Sequence, residues 1–148
     1  MSRLSSALGD FADLRIKTFS VGNHTFKVRV PLTAELDAIQ KRIDNIPEKA
    51  ITAKYKEISK GMEGEGVEVT ENDVIVAGRS TREMAKTILS MEARVVEFIR
   101  LLVPENGTLD DITYEEIEAE WPLQIQMEML AKITEAISPG YKDTRKNS

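Results

Sequence analysis

Residues 112–139 read ITYEEIEAEWPLQIQMEMLAKITEAISP. The stretch opens as an acidic helix: Thr113 and Glu116 form a capping box, and Glu115 and Glu116 lie where the positive end of the helix favours them. Trp121-Pro122 interrupts it, because proline offers no backbone N–H and disfavours α geometry in the residue before it. Pro122 then sits in the first turn of a second helix with two apolar stripes. Leu123, Met127, Leu130 and Ile137 form one, and Ile125, Met129, Ile133 and Ala136 form the other. Only Gln124, Gln126, Glu128, Lys132 and Glu135 remain polar. Two apolar stripes on one helix require two partners.

One partner is expected in STREMAKTILSMEARVVEFIRLLV, residues 80–103. Ser80 and Glu83 make a second capping box. Met84, Ile88, Met91, Val95, Phe98 and Leu102 follow a heptad-like 4-3-4-3-4 spacing, leaving only Glu97 and Arg100 for water near the end. Pro104 stops this helix at 103. Towards the N-terminus, LRIKTFSV and HTFKVRV flank Gly22-Asn23 with period-two alternation, the pattern of a β-hairpin. Leu36, Ile39, Ile43 and Ile46 then form one stripe of a helix starting near Thr33. Pro47 begins another over 48–60, ended by Gly61. GMEGEG, residues 61–66, reads as a hinge, and residues 67–77 as a second short hairpin turning at 71–73. Residues 139–148 form a mobile polar tail. The fold class is therefore mainly α with an N-terminal β-hairpin, an α+β chain of about five helices in a single domain over 1–148.

The chain has 148 residues, no Cys, one His and a net charge of −5. Its length suits one domain with a core of its own. Zero Cys excludes disulfides, thiolate metal sites and Cys nucleophiles, and His24, at the hairpin turn, reads as a solvated side chain. No phosphate-binding glycine loop occurs. The run ENGTLDDITYEE lacks the ligand spacing of a calcium loop. Adjacent carboxylates at helix starts serve the helix dipole. These absences argue against an enzyme and imply no cofactor and no metal. No apolar run is long enough for a bilayer and no secretory signal is present, which places the chain in the cytoplasm, with no membrane partner.

Charge is uneven. Residues 1–61 carry a net +4 and residues 62–148 a net −9, and from Leu101 to Ala131 there are eight acidic residues and no basic one. The halves either face each other in one fold or form solvated faces, or they join copies head to tail, which makes a homo-oligomer. Lys49, Lys56 and Lys60 share a helix face, but nucleic acid calls for aromatic or Arg partners and a basic overall balance, and Glu48 and Glu57 dilute the patch, so nucleic acid is not expected. Met62, Met84, Met91, Met127 and Met129 suit either gap-filling in a core or a surface that repacks against partners.

The capped TYEEIEAEWP followed by LQIQMEMLAKITEAISP, with FKVRVPLTAELDAIQKRI upstream, resembles the tail assembly chaperone of long-tailed, lambda-like bacteriophages in its short, unextended form. The resemblance spans most of the chain. It implies a protein of the host cytoplasm during assembly, absent from the mature virion. Such a protein binds the tape measure protein, keeps it soluble and helps recruit tail tube protein subunits, the last through a form extended by ribosomal frameshifting. A chaperone for a long apolar helix needs adaptable apolar contacts. Leu123, Met127, Leu130, Ile133 and Ile137, with Val95, Phe98 and Leu102, are the candidate partner-binding residues; the alternative is that all eight are core. The rival functions are a head–tail connector or other structural virion protein, and a small DNA-associated regulator.

Overall fold

Alternating side chains around Gly22-Asn23 give the hairpin its register. In the computed structural model, which describes residues 3–9, 12–61, 64, 66–70 and 73–138, strand β1 (Ile16–Val21) pairs antiparallel with β2 (His24–Arg29), Val21 opposite His24 and Phe19 opposite Phe26. Gly22 takes φ +61°, as the first central residue of a two-residue type II′ turn requires. Val21, Val28, Phe19 and Phe26 share one face, with Val21 and Val28 buried, and the two phenyl rings stack 5.6 Å apart.

Among the described residues there are six α-helices rather than about five: α1 (Arg3–Leu8), α2 (Thr33–Asp44), α3 (Glu48–Ser59), α4 (Thr81–Ile99), α5 (Tyr114–Glu120) and α6 (Leu123–Ile137). The additional one, α1, is two turns long and buries no residue. A second antiparallel sheet has three strands, β3 (Val67–Val69), β4 (Val74–Val76) and β5 (Arg79–Ser80), in that order, so the short hairpin expected over 67–77 gains a third strand. The tail 139–148, Met62 and parts of the hinge and of the 71–73 turn lie outside the described residues.

The chain divides into two compact units, residues 1–36 with 95–148, and residues 37–94; the boundaries fall inside α2 and α4. In the first unit α6 is the helix whose backbone comes closest to the hairpin. Its buried face carries Gln126, Met129 and Ile133. Burial of Met129 and Ile133 stabilises the unit by about 1.5–3 kcal/mol each. Arg29 leaves the hairpin with both guanidinium nitrogens on Glu35, at 2.6 and 2.8 Å. That fork fixes the entry into α2. The hydrogen bonds from Arg29, opposed by burial, hold the Glu35 carboxyl below its ordinary value.

The second unit is held at the start of α4. Asp73 accepts hydrogen bonds from the Ser80 hydroxyl and from the backbone N–H groups of Val74 and Arg82. Burial pushes this carboxyl up, but those donors outweigh it and leave it below the usual range. Arg82 then crosses to α3, donating to Thr52 Oγ1 at 3.1 Å with its guanidinium 5.2 Å from the Tyr55 ring centre. Lys49, Lys56 and Lys60 are exposed. Of the α4 seam, Met84 is 39% exposed, Ile88 and Met91 are half-buried, and only Val95, Phe98 and, beyond the helix end, Leu102 are buried.

Between β4 and β5, Ala77 and Gly78 take φ +50° and +78°, the two positive values of a type I′ turn. Ala77 has no polar side chain to offset left-handed geometry, which costs about 1 kcal/mol. Ala77→Asn should therefore raise stability by about 0.5–1 kcal/mol, read as a higher urea midpoint at unchanged m-value. A lower midpoint contradicts this account of the turn. Glu35 gives a second expectation. Because its folded pKa lies below the ordinary 4.5, its stabilising effect is complete at neutral pH and fades as pH falls from 4.5 through the folded value. Glu35→Gln should lower Tm by about 2 °C at neutral pH, and the difference should shrink steadily as pH is taken below 4.5.

Candidate functional site

The central helix ends at Ile99, four residues before the end expected from sequence. Leu101 N–H and Leu102 N–H bond to Phe98 and Ile99 carbonyls in tightened turns, and the chain then straightens. Two causes act here. Pro104 forces Val103 out of α geometry, and the outer edge of β2 offers free backbone groups. Arg29 N–H donates to the Leu101 carbonyl at 2.9 Å and Val103 N–H to the Lys27 carbonyl at 2.8 Å, with Leu102 opposite Val28. Residues 101–103 thus cover that part of the strand edge. Glu97, which the sequence leaves for water, is 8% exposed, with Arg100 Nη1 3.8 Å from it.

Past Pro104 the chain swings away from β2, reverses at Gly107 (φ +71°), and is tied back where Arg100 Nη2 donates to the Ile112 carbonyl at 3.1 Å. Thr113 caps α5 by accepting from Glu116 N–H, as the sequence pattern predicts. The helix buries Ile117 and ends at Glu120, with Trp121 N–H on the Ile117 carbonyl. Pro122 forces a new start. The Trp121 carbonyl, left behind at the break, accepts from Gln126 Nε2 at 2.9 Å, and Gln126 Oε1 accepts from the Tyr114 hydroxyl at 2.9 Å. Gln126, 2% exposed, is thus a buried clasp across the break.

These segments enclose an open groove of about 800 Å³. One wall is β2, through Thr25, Phe26 and Lys27. Ile99 and Leu102 form the floor. The loop contributes Val103, Pro104, Leu109 and Ile112, and the far wall is Ile117, Glu120 and Trp121, with Glu105 and Asn106 at the rim. Most of its lining side chains are apolar, with Lys27, Glu105 and Glu120 as the charged ones among the described residues. Among the described residues no group of three or more His, Asp and Glu is arranged for a metal ion, and no helix is long and apolar enough to cross a membrane. His24 is exposed at the hairpin turn.

The eight residues singled out from sequence divide. Val95, Phe98, Leu102 and Ile133 are buried within the chain, Leu123 is 53% exposed, and Met127, Leu130 and Ile137 are half-buried. Leu102 alone of them lines the groove. The outward stripe Leu123–Met127–Leu130 is a separate apolar strip on α6. Sequence reasoning passed over Phe26, Val103, Leu109, Ile112 and Trp121. The available signal was the isolated Leu109 and Ile112 in an otherwise polar loop, and the aromatic before Pro122. No family model matches the chain, and no curated protein or solved structure matches it.

Gln126→Leu removes the clasp and strands a backbone carbonyl and a hydroxyl. It should cost about 1–3 kcal/mol, a Tm lower by several degrees. Because Trp121 is the only tryptophan, its emission should shift to the red in the folded variant. Unchanged Tm and emission would show that the break is held by something else.

Proposed function

We propose that this chain is a tail assembly chaperone of a long-tailed bacteriophage, in its short form, which binds the tape measure protein, keeps it soluble and helps assemble tail tube subunits on it. The supporting observation is the groove, an open and mainly apolar cleft, together with a separate, partly exposed apolar strip on α6. A protein that must hold a long apolar helix in water needs surface of this kind, deep enough to desolvate side chains and open enough to release them. Leu102 in the groove and Leu123, Met127 and Leu130 on the strip are the shared elements with the contacts expected from sequence. The resemblance of TYEEIEAEWP and its surroundings to that family supports the same reading. Several copies along one client, the homo-oligomer of the sequence reading, would raise the total hold without a tight single contact.

The test is co-expression of the full chain with the longest predominantly helical open reading frame downstream of its gene, followed by pull-down on a tag. Soluble client co-purifying with several copies of this chain is the expected result, together with absence of the chain from purified particles. A client that stays insoluble while this chain remains a monomer overturns the reading, and presence of the chain in purified particles favours a head–tail connector.

A further inference from the structure

We infer that the groove takes the apolar face of an amphipathic helix whose one flank is basic, and that this is the kind of client segment the chain selects; the inference rests on the chaperone reading. The choice of helix over strand follows from β2. Its edge at Lys27 and Arg29 is already paired with residues 101–103, so an extended guest has no continuous ladder to join. A helix needs no such edge and can bring the side chains of one stripe into a cleft of about 800 Å³.

The basic flank follows from the walls. Glu105 and Glu120 stand at the loop and α5 side of the groove. Neither has an ion-pair partner among the described residues. The carbonyl end of α5 reaches the groove beside Glu120 and adds negative potential. Among the described residues Lys27 is the one cation of the lining, against Glu105 and Glu120. A guest helix is therefore selected for Lys or Arg on one flank of its apolar stripe, where they can reach those carboxylates. A guest acidic on that flank meets like charge next to a desolvated surface, where repulsion discriminates most strongly.

The probes are three 18-residue helical peptides with acetylated and amidated ends, which removes the terminal charges. One has a Leu/Ala stripe and Lys on one flank, one has the same stripe with Glu in place of Lys, and one has the Lys composition scrambled so that no stripe forms. Binding to the full chain is read by peptide anisotropy and by Trp121 emission. The Lys-flanked peptide should bind about tenfold more tightly than the Glu-flanked one at low salt, the gap should narrow as salt rises, and the scrambled peptide should not bind. In Glu105→Lys/Glu120→Lys, where both positions are exposed and the fold should persist, the preference should reverse. Equal binding of the two flanks, no binding of either, or a preference untouched by the double reversal overturns the inference. A client retained in the co-expression test without any flank preference removes this inference and leaves the chaperone reading standing. Flank preference without client retention does the opposite.

Discussion

Pro122 supplies no N–H, and much of the first unit is arranged around that missing donor. A continuous helix from 114 to 137 would carry Trp121 and Met129 on one rod. The break instead lets α5 close over the end of the central helix and sends α6 along the hairpin. It also creates a problem, a carbonyl at Trp121 without a helical partner, in a place where water is partly excluded. Gln126 answers it from the next helix, and its own oxygen is satisfied by Tyr114. The backbone that carries the Trp121 indole is therefore held by a hydrogen-bond chain that runs from Tyr114 at the start of α5, through Gln126 in α6, to the Trp121 carbonyl. An amide is suited to this task because it donates and accepts at once.

The second unit depends on one carboxylate in a comparable way. Asp73 collects a hydroxyl and two backbone N–H groups at the sheet end and at the first turn of α4, so sheet and helix are joined by a group that is itself a helix-capping anion. Arg82 extends the connection to α3 by planar donation to Thr52 and by lying over Tyr55. These polar links act beside a compact apolar set, Ile39, Ile43, Ile51, Val74 and Ala85, that the unit buries.

Local chemistry made much of the fold legible. The Gly22-Asn23 turn, the caps at Ser80 and Thr113, Pro47 before α3 and the Pro122 break all act through neighbours within four residues, and each is found where the pattern predicts. What the pattern could not carry was non-local. Helix α4 ends early because a strand 72 residues away in sequence offers backbone partners to 101–103, and periodicity has no term for that. Glu97 and Gln126 are polar letters in buried places, and a polar letter reads as surface unless its partners are known. The groove walls come from β2, α4, the 103–112 loop and α5, so no single window contains them; the apolar stripes of α4 and α6 drew attention instead and led to Leu102 alone.

The discontinuity of the first unit has a consequence for synthesis on the ribosome. Residues 37–94 are contiguous and can fold as soon as they emerge. The hairpin emerges before them but must wait for residues 101–103 and for α6, about 70 to 110 residues later, which is on the order of 4 to 20 s of translation at ordinary rates. The groove does not exist on the nascent chain until α5 has been made.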